Sequence, residues 1–365
     1  MEPVKAAECE DKEVCKPLKE CEREMEFFKK REFAKLRVCG IFDQTMSHCC
    51  QIQSTDRFLE DSTSLVTEAV SEIETHKNFH LINEASCGAQ TNYRIIGGRK
   101  ARIHEFPWLV LLAYRHDDIV SFSCGGTLIS KRYVLTAAHC VNQRDYNLFS
   151  VRIGEHTISK DIDCNNYKDN STCSDLPVED IEIESIISHK DFNNENMIND
   201  IALIRLSRDV ELSKKRINVR TICLPVEESQ QIDNIHDEFL NLTIAGWGLT
   251  ENDRKQSDVL IKAKVPYLSN PSCIKIYDIK KRNYSTLKIE IKDSHMCAGG
   301  IERVDTCRGD SGSALMGVAD LGNFSRIFQH GIVSMGVKCS QVEPFPGIYT
   351  RVSKFITWIL DNMTP

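Results

Sequence analysis

Three short segments decide how this chain reads: LTAAHC at 135–140, NDIALIRL at 199–206 and CRGDSGSAL at 307–315. They carry one histidine, one aspartate and one serine in chain order, His139, Asp200 and Ser311. A serine hydroxyl is a poor nucleophile at neutral pH. It needs a base to take its proton, and the base needs an acid to fix its tautomer and stabilise its cation. Working outward, the chain from Ile95 alternates short β-branched runs with turn residues: FPWLVLL at 106–112, SCGGTLIS at 123–130, LTIAGWG at 242–248, GIVSMGV at 331–337 and GIYTRV at 347–352. Many short strands with Gly, Asn and Asp punctuation predict an all-β sandwich or barrel. From Val352 to Met363 the apolar residues Phe355, Ile356, Ile359 and Leu360 fall at helical spacing, which predicts a C-terminal helix packed on the β body.

Composition narrows the function classes. The 365 residues suggest two domains, or one large domain with an extension. Asp and Glu number 53 against 46 Lys and Arg, a formal charge of −7, which argues against nucleic acid as a partner. The longest clean apolar run, Trp108 to Tyr114, is far short of the ~20 residues of a membrane-spanning helix, so no membrane span is expected. The 16 cysteines include no C-x-x-C pair and predict eight disulfides in an oxidising compartment. N-glycosylation sequons at Asn170, Asn241, Asn283, Asn323 and Asn362 agree with a secreted, extracellular protein. Met1 is followed by Glu2, Pro3 and a charged run with no apolar core, so the signal peptide is expected to be missing or separately encoded.

Six cysteines lie between Cys9 and Cys50, where some forty residues cannot bury much of a core and cross-links must supply stability. Residues 51–86 hold no cysteine and are polar, as expected of a tether. The domain expectation is therefore a small disulfide-rich module at 8–50, a linker and activation segment at 51–94, and a catalytic domain at 95–365.

Residues 95–365 resemble the trypsin-like serine proteases, on the three segments quoted above. The resemblance implies two six-stranded antiparallel β-barrels with a C-terminal helix. It implies Ser311 as nucleophile, His139 as general base and then acid, Asp200 as the orienting carboxylate, and the Gly309 and Ser311 N–H groups as the oxyanion hole. Asp305, six residues before Ser311, matches the floor of the primary specificity pocket, with Gly336 and Gly347 at its walls. A carboxylate there selects Arg, and Lys less well. Pro346 stands where sodium-activated members carry Tyr, so no sodium activation is expected. Arg94 followed by Ile95-Ile96-Gly97-Gly98 resembles the zymogen cleavage site. Cutting there would free the Ile95 ammonium to pair with Asp310. The activator would then be a trypsin-like protease itself.

Family pairing implies Cys124–Cys140, Cys273–Cys297, Cys307–Cys339 and Cys87–Cys223, and leaves Cys164 with Cys173. The N-terminal pattern C-x5-C-x5-C-x17-C-x9-CC resembles the clip domain of arthropod proteases, which implies Cys9–Cys49, Cys15–Cys39 and Cys21–Cys50; the sequence alone permits 15 pairings. The GEH motif at 154–156 opens a loop that often holds calcium in this family. Its candidate ligands are the Glu155 and Asp163 carboxylates and the Thr157 and Lys160 carbonyls, with a solvated acidic loop as the alternative. No cofactor is expected for catalysis.

Two departures from the family pattern stand out: Ser313-Ala314 where Gly-Pro is usual, and Met335 where Trp is usual. The resemblance implies an extracellular cascade leading to melanisation or Toll activation, with a zymogen or ligand precursor as substrate and a serpin as inhibitor. The competing reading is a non-catalytic clip-domain homologue acting as a binding scaffold. Homologues of that kind lose the nucleophile, whereas Ser311 is intact.

Overall fold

A computed structural model of the chain describes residues 13–17, 38–42, 45–51, 73–89, 99–117, 119–143, 146–167, 170–173, 176–213, 216–232, 240–249, 255–281, 290–300, 309–320, 325–335 and 345–365. The chain divides into two compact units, Met1–Val70 and Ser71–Pro365. In the first, β1 (Glu13–Pro17), β2 (Val38–Phe42) and β3 (Thr45–Gln51) form an antiparallel sheet in the order β1-β3-β2, with Cys15 opposite Cys49. Of the cysteines whose pairing was expected in this unit, Cys9 and Cys21 lie outside the described residues, as do Cys307 and Cys339, and Cys15, Cys39, Cys49 and Cys50 are described by their backbone alone.

In the second unit, β5 (Leu109–His116), β6 (Ile119–Leu128), β7 (Tyr133–Thr136), β8 (Asn147–Ile153), β11 (Glu179–Ser188) and β12 (Ala202–Leu206) close into a barrel in the order β11-β12-β7-β6-β5-β8. A second sheet runs β13 (Asn241–Gly246), β16 (Ala314–Asp320), β17 (Ser325–Met335), β18 (Pro346–Arg351), β15 (His295–Gly299) and β14 (Ile261–Leu268). Pairing of β13 with β14 closes it, and β4 (Arg99–Lys100) adds to the outside of β14. The two expected six-stranded barrels are thus both present. Between β8 and β11, β9 (Cys164–Tyr167) and β10 (Asn170–Cys173) make a separate hairpin, with Cys164 opposite Cys173.

The first six residues of β5 are all buried, because its inner face fills the barrel and its outer face is covered. Trp108 is fully buried and its Nε1–H points at Met316 Sδ, 3.2 Å away on β16, so one indole joins the two barrels. The second barrel is filled by Leu242, Ile244, Val265, Met296, Leu315 and Tyr349. The predicted C-terminal helix is a 3-10 turn over Val352–Phe355 that continues into α3 (Ile356–Asp361). It buries Ile356, Ile359 and Leu360 in the same core cluster as the first barrel. Two other helices are used below: α1 (Ala138–Val141) and α2 (Asn270–Lys281).

Residues 73–86, expected to be part of the tether, are built onto the two-barrel body instead. Ile82 is buried in its core cluster, and the buried Asn78 amide donates to Leu360 O and Met363 O at 2.9 and 2.7 Å. Polar side chains here satisfy backbone carbonyls rather than water, so their composition resembles that of a linker.

Trp108→Ala is expected to remove about 3–5 kcal/mol of stability, through lost burial and a cavity between the barrels. Urea unfolding of the two proteins would measure it.

Candidate active site

His139 lies in α1, a single turn after β7. Four residues cannot hold a helix in place by their own hydrogen bonds. The next residue, Cys140, is fixed to Cys124 on β6 by a disulfide, and the buried Tyr114 hydroxyl donates to Cys140 O at 2.9 Å. Burial pushes the Tyr114 phenol up, which keeps it a donor.

Asp200 precedes β12 and is fully buried. Its Oδ2 accepts the His139 Nδ1–H at 2.7 Å and the Ser334 hydroxyl at 2.5 Å. Its Oδ1 accepts the His139 backbone N–H at 2.9 Å, and its carbonyl accepts the Thr350 hydroxyl at 2.8 Å. A carboxylate has only acceptor sites, so this network places the ring hydrogen on Nδ1 and leaves the Nε2 lone pair free to take a proton. His139 keeps 17% of its side chain exposed and can meet a substrate.

Ser311 stands in the turn leading into β16. Its carbonyl accepts Gly125 N–H at 2.8 Å, Gly312 N–H donates to Val333 O at 2.8 Å, and Val333 N–H donates to Ser313 O at 2.9 Å. Gly125 adjoins Cys124, bridged to the residue after His139, and Val333 adjoins Ser334, bonded to Asp200. The serine turn is therefore stapled to the supports of both other residues. Gly312 has φ +80°, and a Cβ there would lie 2.3 Å from Thr136 Oγ1 and 2.4 Å from Gly125 O. Only glycine lets the serine turn come this close to the strand that leads to His139.

Gly309 has φ +100°, and a Cβ there would stand 3.0 Å from the Gly248 Cα. The Asp310 carboxylate accepts Gly248 N–H at 2.9 Å and fills space where a Cβ on Gly246 or Gly248 would stand, 2.2 and 2.5 Å from its oxygens. Gly347 is buried on β18 opposite Ala298. Asp305, Gly336, Arg94 and Ile95 lie outside the described residues.

The two departures have local explanations. Ser313 is buried with its Oγ against Gly125, where any side chain on Gly125 would collide with it, and Ala314 is fully buried opposite Ile332. Met335 is half-buried and packs on the cluster of Tyr277, Phe345 and Ile348.

At the GEH loop, Glu155 and Asp163 are buried and both accept the His156 backbone N–H, at 2.9 and 3.1 Å. Burial, with the Asp163 charge beside it, pushes the Glu155 carboxyl up to about 7, against the pull of Arg152. Asp163 Oδ1 has no hydrogen-bond partner. That oxygen lies 3.8 Å from His156 Nδ1, and Glu155 lies 3.5 Å from Arg152, so the two buried carboxylates fit a hard cation in donor type but share the site with two nitrogen-bearing side chains. The Thr157 carbonyl, a candidate ligand, already accepts Lys160 N–H at 2.8 Å, and the Lys160 side chain is exposed.

Four disulfides lie among the described residues: Cys87–Cys223, Cys124–Cys140, Cys164–Cys173 and Cys273–Cys297. Of the sequons, Asn170 opens β10 and Asn241 is exposed at the start of β13, while Asn283 and Asn323 lie outside the described residues. At Asn362 the amide already donates to Trp358 O at 2.8 Å, Met363 is buried, and Arg205 donates to the Thr364 hydroxyl at 2.8 Å.

Sequence reasoning did not single out Ser334, Thr350 or Gly125 as supports of the site. Gly125 lies in the SCGG run and Ser334 next to Met335, but no spacing marks a residue that reaches the site from another strand. Ser334→Ala removes one of the donors on the Asp200 carboxylate and leaves both His139 bonds. The expected result is a folded protein whose kcat on a chromogenic peptide amide falls about tenfold, roughly 1.4 kcal/mol of barrier, with KM little changed.

Residues 95–359 match the family model described as Trypsin. The chain is 39% identical to CLIP domain-containing serine protease HP8 of Bombyx mori, over 78% of this chain and 73% of that protein. It is 41% identical to Phenoloxidase-activating factor 3 of Holotrichia diomphalia, over 78% and 77%. Among solved structures, the Drosophila Grass clip serine protease of the Toll pathway superposes with a TM-score of 0.64 at 30% identity, covering 96% of this chain and 94% of that one. With these matches resting on a double barrel that buries an aspartate against a histidine beside a glycine-bounded serine, the chain belongs to the clip-domain branch of the trypsin-like serine endopeptidases.

Proposed function

We propose that the protein is a secreted zymogen, activated by cleavage after Arg94, that cuts protein substrates after Arg, and Lys less well, in an extracellular immune or developmental cascade. The observation that carries the catalytic part is the double grip of Asp200 on His139, with the serine turn stapled to both. On attack, Ser311 Oγ bonds to the scissile carbonyl carbon as its proton passes to His139 Nε2. The carbonyl π pair moves onto oxygen, where the N–H groups of Gly309 and Ser311 receive it; each such donor is worth roughly 3–4 kcal/mol. Asp200 stabilises the imidazolium. Collapse expels the amine, which takes the proton from Nε2, and water then repeats the cycle on the acyl-enzyme.

The Asp305 carboxylate, with glycine at 336 and 347, is the proposed selector for a long cationic side chain. Cleavage after Arg94 gives Ile95 an ammonium, and the proposed partner is Asp310. The glycine cradle around that carboxylate supports this reading, because a buried charge pair needs a tight pocket with no competing side chain. The Arg at the cut makes a trypsin-like protease the proposed activator, and a serpin the proposed inhibitor. The cascade role draws on two relatives, one named as a phenoloxidase-activating factor and one as a protease of the Toll pathway. Extracellular location draws on the disulfides; among the described residues no helix is long and apolar enough to cross a membrane.

A serine-reactive phosphonate is expected to label Ser311 only after Arg94 is cut, and Arg94→Gln is expected to stay unlabelled and inactive. Full amidolysis by the intact Arg94→Gln protein would overturn the switch. No adduct on the cleaved form would favour a scaffold. Incubating the activated enzyme with haemolymph and sequencing the new N-termini would report the substrate and the residue cut.

Calcium is proposed as a structural ion on Glu155 and Asp163. Millimolar calcium is expected to raise Tm by about 2 °C or more in the native protein and to leave a Glu155→Gln/Asp163→Asn variant unmoved. Equal shifts in both would remove the site.

A further inference from the structure

The segment Ile73–Ala89 lies upstream of Arg94 and is covalently joined to the protease body by Cys87–Cys223. A single bridge would suffice to keep a loose tail attached, yet the contacts here are those of an integral element. The Asn83 amide forms a closed pair with one residue of the body: its Nδ2–H donates to Leu224 O at 2.9 Å, and Leu224 N–H donates to its Oδ1 at 2.7 Å. Gly88 is threaded between two body segments, donating to Thr221 O and accepting Ile327 N–H, both at 2.9 Å. Its φ is +58°, and a Cβ there would lie 2.2 Å from Ile327 O, so the fit admits glycine alone. Arg326 donates to Ala85 O at 2.8 Å, and the Thr221 hydroxyl to Glu84 at 2.9 Å. At the other end, Asn78 reaches Leu360 O and Met363 O behind the C-terminal helix.

Between these ends Ile82 is 4% exposed within the main core cluster, with Phe79 and Leu81 packed beside it. Removing the segment would take their partners from the carbonyls of Thr221 and Met363 and from the N–H groups of Leu224 and Ile327, and would leave an apolar socket open to water. Leaving buried polar groups unpaired is costly in itself. Each half of the contact therefore has a reason to hold the other that does not involve sulfur.

We infer that residues 73–89 form a noncovalent interface with the protease body, which retains the N-terminal chain after cleavage whether or not the Cys87–Cys223 bridge is present. The body's surface fits one partner, this segment of its own chain, through an apolar socket for Ile82 flanked by carboxamide-to-backbone pairs. Cleavage at Arg94 would then yield a two-chain enzyme held together by packing, with the disulfide as a second fastening. This rests on the proposed cut after Arg94, whose occurrence N-terminal sequencing checks separately.

The test is a full-length Cys87→Ser/Cys223→Ser protein, cut after Arg94 and run on native size exclusion at low micromolar concentration. Co-elution of both chains, with separation only in denaturant, is the expected result; separate elution of the N-terminal chain would overturn the inference. Adding Ile82→Asp and Asn83→Ala to that protein is expected to weaken retention at least 100-fold, and undiminished co-elution would show that these contacts are not the fastening. Should the double serine variant fail to fold, the native protein, cut and then reduced, answers the same question, with mass spectrometry reporting the freed thiols. Two chains that stay together yet gain no amidolytic activity would count against the activation switch and leave the interface standing. An active enzyme that sheds its N-terminal chain would do the reverse.

Discussion

A carboxylate removed from water must be given hydrogen bonds or it will not stay charged. Asp200 is fully buried, and the groups that satisfy it come from both halves of the domain. The His139 backbone and ring donate from the first barrel, and the Ser334 and Thr350 hydroxyls reach the residue from the second. The acid is thus a joint between barrels as well as an electrostatic partner for the imidazole. The fully buried Trp108 crosses the same divide in apolar form, and the disulfide at Cys140 keeps a one-turn helix from drifting off the joint. Geometry at the reacting atoms is set by how two barrels dock.

The turn that carries Ser311 follows the same logic on the backbone. Ser311 is held by its own carbonyl and by its neighbours' amides, so the turn is fixed through the backbone. Close approach is what the glycines supply. Gly312 yields to Thr136, Gly125 to the Ser313 hydroxyl, and Gly246 and Gly248 to the Asp310 carboxylate. These positions carry no reactive group, yet each sets where one can stand.

What the sequence made legible, and what it hid, follows from that division. His139, Asp200 and Ser311 each sit in a contiguous run whose residue types have a chemical reason, so they could be read in line. The barrels could be read from alternating short strands, and the last helix from its spacing, because burial imposes a period on neighbouring residues. Ser334 and Thr350 could not, since their partner Asp200 comes from another part of the chain and one hydroxyl in a strand carries no period. The stretch from Ile73 to Ser86 misled for a related reason. Asn78 and Asn83 look like solvent-facing linker residues, and only the fold reveals that their amides complete someone else's hydrogen bonds.

The division of the triad between barrels has a consequence for the cell that makes the protein. The ribosome releases His139 and Asp200 with the first barrel, while Ser311, Ser334 and Thr350 are still to be translated. A nascent chain therefore carries the His139 imidazole and the Asp200 carboxylate without the serine, and that carboxylate lacks the Ser334 donor until the second barrel closes on it. The serine joins the other two side chains only when the last third of the chain has been made, so a chain stalled or truncated midway holds an imidazole and a carboxylate without the hydroxyl.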